Sequence, residues 1–276
     1  LDVSKIAAVD PQGRDPGGFT DHEKLPGLLV RAGWTAAGCV QNLAEVLFGC
    51  GKARVSVVPI NLAVTDAAVA AMIRDSGASA VAASGEHCAR IDGLLASGEL
   101  PASLIRIGLD APAVGWLHYP AWRDAQDADA LLPQVLPGDE CNIIYSSGTT
   151  GLPKGIVHSH ECRMHWATDL ALALRYHSGA VTLCSLGLYS NISWAAMLAT
   201  VLVGGTIVVM PSFSPAGLID LIERHRVTHG GFVPVQFQRL LELPESETRR
   251  ISSLQAIMCC GSPLAPALKR ATRDRL

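Results

Sequence analysis

No two of the chain's eight cysteines stand in CxxC spacing. Cys39, Cys50, Cys88, Cys141, Cys162, Cys184, Cys259 and Cys260 are scattered, which argues against metal or redox motifs. With no signal peptide in view, they read as reduced thiols of a cytoplasmic protein. Adjacent Cys259 and Cys260 read as a buried strand end rather than a redox pair. A basic stripe interleaved with aromatics is also missing: aromatic residues make up 5% of the chain and the formal charge is −3. Nucleic acid is therefore not an expected partner. Nor is there an unbroken apolar run of about twenty residues, the length a membrane helix needs. The longest candidate, ISWAAMLATVLVGGTIVVM (192–210), is interrupted at Gly204 and Gly205. Its period changes there, so it reads as a buried helix, a turn and a strand, and a soluble protein without a membrane span is expected. No histidine stands in ligand spacing with a carboxylate or thiol. His165, His177, His225 and His229 read as helix-end or core residues, and no metal site is expected. Asp66, Asp75 and Glu45 read as caps or solvated faces. Internal repeats and low-complexity tails are absent.

What is present is a long alternation of strands and helices. The 276 residues, 49% hydrophobic, suffice to bury roughly three quarters of the unfolded surface in one large domain or two modest ones. VSVVPI (55–60) has the composition of a strand. TDAAVAAMIRDSG (65–77) reads as a helix with Thr65 as N-cap and Gly77 beyond its end. ASAVAAS (78–84) and SLIRIG (103–108) read as strands flanking the helix EHCARIDGLLASG. A Pro-, Ala- and Asp-rich stretch over 111–140 has no sustained period and reads as a linker. CNIIYS (141–146) is then a buried strand that enters a glycine loop. Past the loop come the helix CRMHWATDLALALRYH, the strands VTLCSL (181–186) and TIVVM (206–210), and the helix PAGLIDLIERHR (215–226). Leu218, Ile219, Leu221 and Ile222 share one face of that helix. THGGFV, PVQFQRLLEL, LQAIMCC (254–260) and APALKRATRDRL continue the pattern. Repeated β-α units with apolar, β-branched strands predict an α/β fold with mostly parallel sheets.

The glycine loop, YSSGTTGLPKG (145–155), holds three glycines, four Ser/Thr residues, a proline and a lysine. A strand that ends in such a turn aims several backbone N–H groups at one place, a concavity suited to an anion. Ser146, Ser147, Thr149 and Thr150 add hydroxyl donors, and Lys154 adds a charge. Charge-assisted bonds contribute roughly 1.5–3 kcal/mol each, so several converging on a triphosphate give useful affinity. The pattern is not a Walker A motif, because Pro153 stands where the second glycine belongs. It is not a GxGxxG fingerprint either. His158 and His160 follow the loop, and either approach phosphate or form a helix-entry pair with Ser159 or His160 near the cap.

The eleven residues closely resemble the phosphate-binding signature of the adenylate-forming superfamily, which includes acyl-CoA and aryl-CoA synthetases, peptide-synthetase adenylation domains and beetle luciferases. IVHSH (156–160) and VPINLAVTDAAVAAMIRDSGA (58–78) resemble the same family. GLYSNISW stands in the place of its aromatic substrate-pocket motif, RHRVTHGGFVPVQFQRLL (224–241) resembles the segment ahead of the acyl pocket, and CCGSPLAP (259–266) resembles the start of the adenine-binding turn. The resemblance covers about residues 40 to 276. It implies the superfamily's large α/β domain with βαβ subdomains: a poorly matching 1–40, a first α/β part over 41–110, the linker, and a phosphate-loop and acyl-pocket part over 141–276. The implied reaction joins a fatty or aromatic carboxylic acid to coenzyme A. ATP with Mg²⁺ first gives an acyl-AMP, and a thiol then displaces AMP. Carried over by position, Lys154, Thr149 and Thr150 act on the phosphates during attack. Ser146, Ser147, Gly148, Gly151, Pro153 and Gly155 complete the phosphate site, and Cys260, Gly261 and Ser262 flank adenine. Tyr189, Ser190, Asn191, Phe232, Val233 and Pro234 line the acid pocket.

The chain departs from the family in three places. Ser190 stands where many CoA ligases have histidine. The segment from Phe19 to Gln41 is short. The family's magnesium glutamate, ribose aspartate and lysine-bearing C-terminal small domain lie beyond Leu276. The chain is therefore expected to be an incomplete large domain, inactive alone. Two alternatives stay open: an adenylation domain loading a carrier-protein thiol, and a non-catalytic nucleotide-binding remnant.

Overall fold

The structure, a computed structural model, describes residues 6–8, 31–32, 37–61, 63–126, 133–146, 153–210, 212–248 and 251–275. The chain opens with β1 (Ile6–Ala8), β2 (Arg31–Ala32), α1 (Ala37–Lys52), α2 (Asp66–Asp75), β3 (Ala80–Ala83) and α3 (Gly85–Ala96). It continues through β4 (Ile105–Gly108), β5 (Leu117–His118), α4 (Tyr119–Asp124), β6 (Glu140–Ser146), β7 (Lys154–Ser159) and α5 (His160–Ala173). Then follow β8 (Val181–Cys184), α6 (Asn191–Leu202), β9 (Thr206–Val209), α7 (Pro215–His225) and β10 (His229–Phe232). The last elements are α8 (Pro234–Leu241), α9 (Glu245–Thr248), β11 (Ala256–Cys259) and α10 (Pro266–Arg275). Two compact units result, one over residues 19–163 and one over 1–18 with 164–276. Among the described residues no helix is long and apolar enough to cross a membrane.

In the 19–163 unit a parallel sheet runs in the order β2-β3-β4-β5. Helix α2 starts as its sequence dictates, with the Thr65 side chain accepting from Ala68 N. It ends at Gly77, whose φ of +62° a side chain would disfavour. Val69, Ala70, Met72 and Ile73 of α2 pack with Val81, Ile91, Leu94 and Ile143 in one apolar core. The 111–140 stretch, expected as a linker, instead adds β5 and α4 to this unit. VSVVPI is not a continuous strand: Val57 bridges Asn142 and Ile60 is a separate isolated bridge residue. Pro59 lacks the N–H that a continuing ladder needs.

The other unit holds an all-parallel sheet in the order β1-β9-β8-β10-β11. Its core gathers Leu218, Ile219, Leu221 and Ile222 of α7 with Leu183, Val208, Phe232, Phe237 and Leu240. The expected α/β architecture with mainly parallel sheets is the observed one. A buried polar cluster sits at the amino end of β10. His229 Nε2 lies 3.1 Å from the Leu174 carbonyl and Nδ1 lies 2.7 Å from Thr228 Oγ1, while Tyr176 stacks on the ring at 4.1 Å. A carbonyl only accepts, so Nε2 carries a proton.

Burial holds the His229 pKa below its ordinary value, with nearby His177 acting in the same sense and the Leu174 carbonyl opposing them. The unfolded chain takes up that proton near pH 6.5 while the folded one resists, so stability is intact above about pH 6.5 and falls below it. We predict a lower urea midpoint at pH 5.5 than at pH 7.5, and a smaller difference between the two in His229→Gln. An unchanged difference would assign the acid sensitivity to other groups.

Candidate active site

In the 19–163 unit, β6 and β7 form an antiparallel hairpin in which Ser146 faces Lys154 and Tyr145 faces Gly155. Sequence reasoning missed β7, although the β-branched pair Ile156–Val157 after a glycine was a signal for it. Lys154 is consequently the first residue of a strand, with its backbone fixed and its side chain exposed. Ser146, also exposed, ends β6, and Pro153 is half-buried before Lys154. Ser147, Gly148, Thr149, Thr150 and Gly151 lie outside the described residues. The base of the turn is packed tightly. A Cβ at Gly155 would lie 3.0 Å from Ile143 Cγ2 and 3.2 Å from Tyr145 Cζ, so the Tyr145 ring rests on bare backbone.

Of the two histidines after the loop, only His160 stands at the helix entry. His158 lies four residues along β7 from Lys154, roughly 13 Å at strand rise, and it is buried. Its Nδ1 is 3.3 Å from Arg163 Nη2, and Arg163 Nε donates to Asn142 Oδ1 at 2.9 Å. Burial and the Arg163 charge both lower the His158 pKa; burial pulls the Arg163 guanidinium down to about 10. Ser159 Oγ accepts from Cys162 N at 3.1 Å and caps α5. His160 is the first residue of α5, and its N–H donates to the Asp139 carbonyl. Glu45, read as a solvated or capping residue, is buried against Arg123 at 2.7 Å and Tyr119 at 3.2 Å. Asp75, read the same way, accepts from the Tyr145 hydroxyl at 2.5 Å.

In the other unit, the connection after β8 leads to β9 on one side, while the connection after β10 leads to β11 on the other. Neighbouring parallel strands whose connections diverge open a crevice at their carboxyl ends, the place where open α/β sheets bind ligands. Tyr189, Ser190 and Asn191 follow β8, Val233 and Pro234 follow β10, and Cys260, Gly261 and Ser262 follow β11. These expected residues thus lie at the ends of three adjacent strands. Ser190 Oγ accepts from Ile192 N and caps α6, while Asn191 begins that helix. The Tyr189 ring lies against Gly187. The loop is further pinned by Ser193 Oγ donating to the Leu186 carbonyl and Trp194 Nε1 to the Leu188 carbonyl.

Gly261 has φ +91°, which an L side chain rarely adopts. A Cβ there would lie 3.1 Å from Val233 Cγ1 and 3.7 Å from Ile192 Cδ1. Ile192 also covers Gly231, where a Cβ would come within 2.6 Å of its Cγ2. Ile192, Gly231, Val233 and Gly261 therefore converge, and sequence reasoning had named only two of them. Phe232 is different: its side chain is 1% exposed and meets Phe237 edge-on at 5.6 Å. It belongs to the core, and only its carbonyl, accepting from Cys260 N at 3.1 Å, reaches the adenine-type turn. Cys259 and Cys260 are half-buried at the end of β11, and burial raises both thiols above their ordinary pKa.

One further pair fixes the crevice. Buried Gln236 Nε2 donates to Ser185 Oγ at 3.0 Å, and Gln236 Oε1 accepts from Val233 N at 3.1 Å. This ties the turn after β10 to the end of β8. The sequence signal was a proline at the first helical position with a glutamine two residues later, half of a capping box.

Such an arrangement, a Ser- and Lys-flanked hairpin turn in one unit and a switch-point crevice in the other, belongs to the proteins that handle nucleotides on α/β sheets. The AMP-binding enzyme family matches residues 39–276, and the chain belongs to that family. It is 29% identical over 236 residues to a feruloyl-CoA synthase of Amycolatopsis sp, covering 84% of this chain and 44% of the relative. It is 29% identical over 187 residues to 4-coumarate–CoA ligase CCL1 of Humulus lupulus, covering 65% of this chain and 34% of that one. The chain thus spans less than half the length of these curated relatives. Its fold matches the crystal structure of the anthranilate CoA ligase AuaEII, solved with anthranoyl-AMP, with a TM-score of 0.83 at 21% identity, over 99% of this chain and 55% of that one.

We predict that Gln236→Leu lowers stability by about 1–3 kcal/mol, because it strands the Val233 N–H and the Ser185 hydroxyl. Adding Ser185→Val should recover part of the loss in urea denaturation. A double variant no more stable than Gln236→Leu would show that the pair does not act together.

Proposed function

We propose that the protein to which this chain belongs is an AMP-forming acid–CoA ligase acting on an aromatic carboxylic acid. The observation that carries the reading is the hairpin itself: Ser146 and Lys154 face each other across the turn that bears the family signature. A carboxylate is a poor electrophile because oxide would have to leave. Joining it to AMP with loss of pyrophosphate, and then exchanging AMP for a thiol, avoids that barrier. The residues assigned to the hairpin turn, Ser146, Ser147, Gly148, Thr149, Thr150, Gly151, Pro153, Lys154 and Gly155, hold the β- and γ-phosphates. Their part is positioning and charge neutralisation during attack on the α-phosphorus.

Cys260, Gly261 and Ser262 are assigned to adenine. The bare, positive-φ Gly261 beside Val233 suits contact with a flat ring. Tyr189, Ser190, Asn191, Val233 and Pro234, with Ile192 and Gly231 added, are assigned to the acid. Phe232 supports this wall from behind. Two relatives are named a feruloyl-CoA synthase and a 4-coumarate–CoA ligase, which favours an aryl acid over a fatty one. Mg²⁺ is read as travelling on the triphosphate, since that ion keeps its waters and seldom has an all-protein cage. Coenzyme A is the thiol of the second step. The free cysteines suit a reducing, cytoplasmic compartment.

The test is ATP–pyrophosphate exchange by the complete protein with a panel of acids, from acetate to palmitate and from benzoate to ferulate. We expect a hydroxycinnamate-like acid to lead. A polar amino acid outperforming every aryl acid would refute the assignment. In the same assay Lys154→Ala should slow exchange by about 10²–10³ while shifting the acid KM little. Exchange within threefold of wild type would remove Lys154 from its role.

A further inference from the structure

The sheet unit of residues 19–163 contains a device that the family signature does not explain. Tyr145 sits one residue before Ser146, and its strand partner Gly155 sits one residue after Lys154. The ring lies on Gly155, and its hydroxyl donates to Asp75 Oδ2 at 2.5 Å, with the Met72 carbonyl at 3.3 Å. Both acceptors belong to the last turn of α2. An aspartate there opposes the negative end of the helix dipole, so its placement is locally unfavourable. The phenol proton offsets that cost, and an oxygen–oxygen separation of this length is characteristic of an O–H donated to an ionised acceptor.

We infer that Asp75 and Tyr145 are positioning residues for the phosphate-holding turn, an inference that rests on the reading of that turn given above. A turn that grips phosphates with backbone N–H groups must be ordered before it binds, or binding bears the ordering cost. Ser146 and Lys154 are separated by seven residues, six of them outside the described set, and joined by a single antiparallel ladder. Tyr145 links both strands at that point to α2, whose Met72 and Ile73 are core residues. Gly155 is part of the same device, because any side chain there would lift the ring from the strand. The anchor touches no reacting atom and acts through the geometry of Ser146 and Lys154.

The experiment compares Tyr145→Phe, Asp75→Ala, Asp75→Asn and the Tyr145→Phe/Asp75→Ala pair in the complete protein. The ATP KM should rise about three- to tenfold in Tyr145→Phe and in Asp75→Ala, with the acid KM within twofold of wild type. Asp75→Asn keeps an acceptor oxygen and should restore most of the effect. The double variant should be no worse than the worse single variant, since both remove one bond. Equal shifts in both KM values, or additive losses, would reduce the pair to general stability and overturn the inference. Hydrogen exchange of β6 and β7 without nucleotide gives a readout that needs no activity. The Lys154 and Gly155 amides should exchange faster in Tyr145→Phe and Asp75→Ala than in wild type. If wild type shows no ATP-dependent exchange with any acid while these amides still respond, the functional reading fails and the anchor stands. If they do not respond, the anchor fails whatever the enzyme does.

Discussion

The parallel pairing of β8 with β10 is the constraint on which the geometry of the 164–276 unit depends. His229, Gly230 and Gly231 stand in register with Thr182, Leu183 and Cys184. That register brings Ser185, just past β8, level with Phe232 at the end of β10. The chain must leave the two strands toward opposite neighbours, β9 and β11. A gap between the departing segments follows from this topology whatever side chains fill it. What the sequence adds is closure of its floor: Gln236 bridges Ser185 and the Val233 N–H, both otherwise buried polar groups without a ladder partner. Ile192, at the start of α6, then lies over Gly231.

The other unit solves a different problem. A segment rich in glycine and hydroxyl residues loses much conformational entropy when it is ordered. Order has to come from its ends. The ends are the Ser146–Lys154 pair, and immediately behind them Ile143 and Tyr145 reach the apolar core of α2, α3 and β3. Rigid sheet and helix thus hold a segment whose own composition would leave it free, which is how binding loops are commonly carried on scaffolds.

Local chemistry made much of the fold legible. Thr65 and Gly77 bracket α2 as read, and the apolar face of α7 is buried. Ile192 to Met210 is a helix, a turn and a strand as read. The misses are tertiary. Strand composition put a strand at VSVVPI, yet only isolated bridges at Val57 and Ile60 form there, with Pro59 between them unable to donate. Glu45 looks like a surface carboxylate until a distant Arg123 is folded against it, whereas Asp75 stays exposed as read. Phe232 looks like a pocket wall because it precedes Val-Pro, but strand alternation turns its ring to the opposite face, against Phe237. For Glu45 the deciding partner lies 78 residues away, and no window of local pattern contains it.

The same distinction accounts for β10. Its sequence, HGGF, is a poor strand: two glycines offer no side chain to pack and cost backbone entropy. Neighbouring elements compensate at each residue. Phe232 folds its ring back over Gly230, where a Cβ would come within 2.9 Å of Cζ, and Ile192 covers Gly231 from α6. His229 and Thr228 fasten the amino end through the Leu174 carbonyl and the Val181 backbone. Gln236 fastens the carboxyl end through the Val233 N–H. Larger side chains would have packed the strand better, but they would occupy the space that Ile192 and Phe232 now fill. The glycines give up intrinsic strand propensity for the close approach of α6 to the sheet.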